Sequence, residues 1–203
     1  MSSLVRLLAP LHALASLAST AHAHSASRTH DGFLLRLNIG LGYENLSLSD
    51  ATSDFEIGGL GAALSVGIGG LIAPDVALQA ELFGSAVVSP GVSRDGVDLG
   101  DAIDASVSLS GIGGGVTYWL MPANIYVMTM LGFAKATIEE DGFSVQSDWG
   151  FALQGMVGVE FWVDDEWGLG FAGQLLWANV PTDRSSISSS FMAVNLLFSA
   201  TYN

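Results

Sequence analysis

From Gly32 to the C-terminus the sequence alternates with a period of two, and it does so over eight separate segments. Successive side chains of an extended strand point to opposite sides, so the pattern describes strands with two unlike faces. In the first segment Phe33, Leu35, Leu37, Ile39, Leu41 and Tyr43 share one face, and Leu34, Arg36, Asn38, Gly40, Gly42 and Glu44 share the other. The second sets Leu60, Leu64, Val66 and Ile68 against Gly61, Ala63, Ser65 and Gly67. The third sets Val76, Leu78 and Leu82 against Ala77, Gln79 and Glu81. Five more follow, over residues 112–120, 127–133, 151–161, 167–177 and 192–202. The expected strand length is about ten residues, the length that crosses a membrane at a tilt.

Alternation alone does not say which face is wet. One face here is bulky and apolar, and the other is Gly, Ala, Ser, Asn, Gln and a few charges. A soluble sandwich turns its large residues inward and shows a charged, Lys-bearing exterior. A small membrane barrel does the reverse, packing small and polar residues into a narrow interior. Composition agrees with the second arrangement: 50% hydrophobic, 13% charged, and 25 Gly in 203 residues. The formal charge of −14, with six basic residues, excludes a phosphate-backbone binder, so no nucleic acid partner is expected. With no Cys, disulfide scaffolds and thiol chemistry are excluded too.

The links between strands alternate in length. Long ones are expected at residues 45–55, 88–107, 139–148 and 179–188, and short ones at 70–75, 121–124 and 164–166. This is the layout of outer-membrane barrels, with short periplasmic turns and longer outer loops. Aromatics fall at strand ends, as interfacial girdles would: Tyr118, Trp119, Tyr126, Phe161, Trp162, Trp167 and Tyr202 on the periplasmic side, and Tyr43, Phe133, Trp149, Phe151, Trp177 and Phe191 on the outer side. The charge-free stretch between Asp104 and Lys135 is long enough for a transmembrane helix. Gly111, Gly113, Gly114, Gly115 and Pro122 argue against one, and Met121-Pro122-Ala123-Asn124 reads as a turn between two strands.

Residues 1–23 have the form of a cleaved signal peptide, with Arg6, an apolar run from Leu7 to Ala18, and an Ala21-His22-Ala23 site. Residues 24–31 then form a periplasmic tail, and residues 32–203 an all-β, eight-stranded, antiparallel up-and-down transmembrane β-barrel.

With that pattern the chain resembles the small outer-membrane β-barrel superfamily, the group of the OmpA membrane domain and OmpX. The strongest local likeness is the run Gly155-Met156-Val157-Gly158-Val159-Glu160-Phe161-Trp162-Val163-Asp164-Asp165-Glu166-Trp167-Gly168-Leu169-Gly170, which looks like the sixth and seventh strands around a tight turn. The resemblance implies a Gram-negative outer membrane, contact with its lipid and lipopolysaccharide, insertion by the barrel-assembly machinery, and ion pairs across the lumen. A monomer is expected, with no OmpA-like peptidoglycan domain. The family usually ends in an aromatic residue, whereas this chain ends Thr201-Tyr202-Asn203, which shifts that signal by one position.

The sequence offers little for catalysis. Enzymes on such barrels that resemble lipid A deacylases or palmitoyltransferases need a His beside a Ser. Beyond the signal only His24 and His30 remain, both expected in an untethered tail, so no triad can be assembled and no enzyme is expected. Asp95, Asp98, Asp101 and Asp104 recur every third residue in a long loop, and clustered carboxylates can bind a hard cation. That spacing is not an EF-hand, and a solvated acidic loop is the simpler account. No cofactor is expected, apart from divalent cations at the acidic outer loops. Those loops hold twelve acids, including Asp50 and Asp183, against Arg94 and Arg184. In the lumen, Arg36 is expected to join Glu81 and Glu160 in a polar network with Gln79, Gln154, Gln174 and Asn38, and Lys135 is expected near the outer rim. The leading expectation is a non-enzymatic barrel with a filled lumen and a structural or surface-interaction role. The rivals are a narrow pore or hydrophobic-compound channel, and a soluble lipocalin-like carrier.

Overall fold

A computed structural model describes His30 and residues 32–49, 52–181 and 188–203. The expected signal peptide at residues 1–23, the tail apart from His30, and Asp50, Asp183 and Arg184 lie outside the described residues. The strands in chain order are β1 Phe33–Ser49, β2 Asp54–Ala73, β3 Val76–Val88, β4 Gly91–Arg94, β5 Val97–Asp101, β6 Ala105–Leu120, β7 Ile125–Glu140, β8 Phe143–Gln146, β9 Gly150–Trp162, β10 Trp167–Asn179 and β11 Ser188–Tyr202. Eight of them (β1, β2, β3, β6, β7, β9, β10 and β11) pair antiparallel with their neighbours, and β1 pairs with β11 to close the barrel. No helix among the described residues is long and apolar enough to cross a membrane, and the 104–135 stretch forms β6, a turn and β7.

The barrel's shear follows from the register. Stepping between paired residues from Leu35 goes through Ile68, Ala80, Gly114, Leu131, Leu153, Trp177 and Met192, and returns to β1 at Asn45. The path comes back ten residues along the same strand, a shear of 10 for eight strands. Such a barrel is narrow enough for side chains to fill. Its outward face carries the bulky set: Leu41, Leu60 and Leu196 are 70%, 82% and 68% exposed. The small and polar set is buried within.

The barrel strands are longer than the expected ten residues, at 13 to 20. They continue beyond the apolar belt, so the first outer link shrinks from the expected 45–55 to the gap between Ser49 and Asp54. Two other outer links also hold strands of their own. β4 and β5 form a hairpin that extends the sheet from β2, and β8 folds back on β7. Both tips are Asp-Gly pairs with positive φ: Asp95 and Gly96 at 51° and 76°, and Asp141 and Gly142 at 49° and 80°. That geometry needs Gly and tolerates Asp, and it matches the twist of the flanking strands.

Three residues expected in the aromatic girdles face the lumen instead. Trp119 and Tyr126 are fully buried and Phe191 nearly so. Their strand parity carries them inward, and for Tyr126 the lumen makes room with Gly. A Cβ at Gly158 would stand 2.6 Å from ring atoms of Tyr126, so only Gly lets that ring lie flat against the wall. The remaining rim aromatics do point outward or sit at the edge, with Trp167 edge-on to Tyr202 at 5.4 Å.

Candidate functional site in the barrel lumen

The lumen's polar side chains come from strands that the shear brings to one depth. Arg36 of β1 is 0% exposed, and its Nη2 donates to Glu160 Oε1 of β9 at 3.1 Å. Nε donates to Thr201 Oγ1 at 3.2 Å and Nη1 to Thr117 Oγ1 at 3.3 Å. The guanidinium also lies 4.1 Å from the Tyr126 ring centroid and 5.2 Å from that of Trp119. Glu160 takes two further bonds, from Thr201 Oγ1 at 2.6 Å and from Trp119 Nε1 at 2.9 Å. The pair is therefore buried with its remaining hydrogen-bonding capacity largely used, the condition under which a buried ion pair holds.

The other expected members join at a distance. Thr117 Oγ1 donates to Gln79 Oε1 at 2.8 Å, and Gln79 Nε2 donates to Glu81 Oε2 at 3.0 Å. Gln154 Nε2 donates to Glu81 Oε1 at 3.0 Å. Glu81 thus connects to Arg36 only through Thr117 and Gln79, and two amides rather than a cation hold it. Asn38 and Gln174 sit in separate pairs, with Ser65 at 2.9 Å and with Asn195 at 2.7 Å. Lys135 points outward: its amine lies 5.8 Å from the Trp149 ring centroid and 3.4 Å from Gln146 Oε1. The sequence reading missed Thr117, Thr201 and Trp119 as partners, although the inward parity of Thr117 and Trp119 in β6 was visible.

His30 departs furthest from expectation. It is not an untethered tail residue but is 2% exposed in the mouth at the short-turn end of the barrel. Its ring stacks on Trp119 at 4.2 Å and tilts against Trp162 at 4.8 Å. One imidazole nitrogen, Nε2, lies 2.8 Å from Asn124 Oδ1, and Asn124 Nδ2 donates to the Glu160 carbonyl at 3.0 Å. His30 therefore stops the mouth directly below the Arg36–Glu160 layer. Apolar ring area and one directional bond explain the seat. His30→Ala should strand a buried Asn124 oxygen and destabilise the barrel by about 1–3 kcal/mol. Tryptophan emission should shift to the red as water reaches Trp119 and Trp162. Unchanged emission and urea midpoint would show that the mouth is closed without His30.

The four loop aspartates are not brought together as a metal centre. No group of three or more His, Asp or Glu among the described residues could hold a metal ion. The hairpin spreads them out instead. Asp95 at the tip accepts the Asp54 amide at 2.9 Å, and its other oxygen lies 3.6 Å from Arg94 Nε. Asp98 accepts the Gly100 amide at 2.8 Å, Asp101 pairs with Gly91 across the ladder, and Asp104 lies past the end of β5. The Asp95 and Asp98 carboxylates serve backbone amides.

The fold has counterparts among solved structures. The crystal structure of neisserial surface protein A (NspA) matches with a TM-score of 0.52 at 14% identity, covering 84% of this chain and 96% of that one. The outer membrane protein OprG from Pseudomonas aeruginosa matches at 0.49 and 13%, covering 86% and 97%. Ail, the attachment invasion locus protein of Yersinia pestis, matches at 0.39 and 11%, covering 83% and 99%. No protein-family model matches the chain, and no curated protein matches it.

Proposed function

We propose that this chain, which has the fold of the small outer-membrane β-barrels, works in the outer membrane as a closed, non-enzymatic barrel with a structural or surface-interaction role. The observation that carries this reading is the filled lumen: Arg36, Glu160, Trp119 and Tyr126 form one buried layer, with His30 seated beneath it. A pore needs a continuous wet path, and that layer occupies the cross-section of a barrel with little space beyond its side chains. A narrow pore or hydrophobic-compound channel would need the layer to part. A soluble lipocalin-like carrier would need the exposed leucines inside. Against an enzyme, His30 bonds to Asn124 and lies between two indoles, with no nucleophile on its ring among the described residues.

The partners fit the surface chemistry. Lipid surrounds the apolar belt, the barrel-assembly machinery inserts it, and the barrel works as a monomer. The described outer loops carry Asp54, Glu56, Asp95, Asp98, Asp101, Asp104, Glu139, Glu140, Asp141 and Asp148 against Arg94, a surplus of nine negative charges. Lipopolysaccharide phosphates would be repelled unless divalent cations are shared between loops and lipid.

Planar-bilayer recording of the native barrel tests the reading. The expected trace stays at the lipid baseline, and steady ohmic steps would move the assignment to the narrow pore.

A further inference from the structure

Above the lipid the barrel carries apolar side chains that lipid contact does not explain. On the outward positions of β7 the apolar run ends at Phe133, and Lys135, Thr137 and Glu139 follow. On those of β2 it ends at Leu60, and Gly58, Glu56 and Asp54 follow. The sheet continues past that level, and there apolar residues take the inward positions instead. Phe55 and Ile57 of β2 share the parity of the buried Ala63, and Ile138 of β7 shares that of the buried Ala136.

The two outer hairpins widen these inward faces. Residues directly opposite in a ladder share a face. Val92 stands opposite Ile57, Arg94 opposite Phe55, and Val97 opposite Arg94, so β4 and β5 continue the inward face of β2. Val145 stands opposite Ile138 and Phe143 opposite Glu140, so β8 continues that of β7. Together these faces make a cup over the outer mouth. A cavity of about 40 Å³, touched by Leu46 and Leu48 of β1 and by Ile138 and Val145, lies at its bottom. Beneath that, Leu46 and Phe191 are buried. The walls are open: Val97, Val145 and Phe143 are 63%, 65% and 79% exposed. Apolar side chains grouped on an exposed face mark a contact surface.

The charge around the cup narrows the choice of partner. Asp95 and Asp101 flank β5, and Glu140 and Asp141 stand at the turn between β7 and β8. Arg94 lies over the Phe55 ring at 5.0 Å with its Nε 3.6 Å from Asp95, so its charge is already shared with that acid. A second copy of the chain would bring the same surplus of acid and be repelled, and so would an anionic ligand. We propose that the cup seats a basic segment of a partner protein. Its apolar side chains, flanked by Lys or Arg, enter against Val97, Phe143 and Val145, while the cations meet Asp101, Glu140 and Asp141. This names the partner class for the surface-interaction reading and rests on that reading. It does not depend on whether the lumen conducts, because the cup lies above the closed layer.

The test places the barrel in nanodiscs of phosphatidylcholine, which has no net charge, and reads fluorescein-labelled peptides by anisotropy against empty discs. Lys-Lys-Leu-Phe-Lys-Lys should bind saturably. Lys-Lys-Ser-Ser-Lys-Lys, which lacks the apolar pair, and Glu-Glu-Leu-Phe-Glu-Glu, which reverses the charge, should each bind at least about tenfold more weakly. Val97→Ser and Phe143→Ser should each weaken the first peptide. Both side chains are mostly exposed, so the variants should fold, and the peptide series needs no variant at all. A barrel that conducts in bilayer recordings and still binds the first peptide would support the cup while removing the closed-lumen reading. Equal affinity for all three peptides, or native affinity in both variants, would overturn the proposal. So would a native barrel that runs as a dimer which the two substitutions separate, because the cup would then belong to a second copy.

Discussion

Arg36→Ala should lower the stability of the barrel by roughly 3–5 kcal/mol, the cost of breaking a buried ion pair from one side. The substitution leaves Glu160 charged at 0% side-chain exposure, with only Thr201 and Trp119 to donate to it. It also empties the space against Tyr126 and Trp119 that the guanidinium fills. The lumen should then admit ions, so bilayer recordings of the variant should show steps where the native protein shows none. Arg36→Lys should fall between the two. It keeps the charge but cannot reach Glu160, Thr201 and Thr117 from three nitrogens at once. The urea midpoints of the three proteins, with their conductance, check this. Equal midpoints and a silent Ala variant would show that Arg36 does not hold the lumen shut.

The second large effect belongs to the outer face. Leu64, Leu131, Leu153 and Leu175 are between 44% and 58% exposed in the middle of the apolar belt. Replacing one with Arg puts a charge against hydrocarbon and should destabilise the barrel by roughly 2–4 kcal/mol, least at positions nearer the rims. Reversible unfolding in lipid gives the value. Wild-type stability in all four variants would mean that lipid does not contact that face.

Why the barrel could be read and the mouth could not is a matter of periodicity. A two-residue repeat in which one side is Leu64, Val66 and Ile68 and the other Ala63, Ser65 and Gly67 states both the strand and its wet face. It also carried Arg36 and Glu160 inward on the correct parity. What it cannot give is which inward residues meet, because that depends on a shear of 10 set by the whole ring. Arg36 and Glu160 are 124 positions apart in sequence and join only once that shear exists. Trp119, Tyr126 and Phe191 were read from their place near strand ends, and their parity overruled that place. The outer hairpins were legible but unread: Asp95-Gly96 and Asp141-Gly142 are strong turn signals inside what looked like plain loops. His30 had no local signal. Its seat is made by Trp119, Asn124 and Trp162, from the two ends of the barrel's lower turns.

Cross-peaks from lipid acyl chains and from water to assigned methyl groups, recorded by NMR on the barrel in lipid nanodiscs, test most directly that a sealed polar lumen lies inside a lipid-facing shell. The account predicts lipid cross-peaks to Leu64, Leu131, Leu153 and Leu175, and neither lipid nor bulk-water cross-peaks to the buried methyls of Met128, Met130 and Leu197. Bulk water at those three interior methyls, or lipid absent from the four leucines, would contradict it.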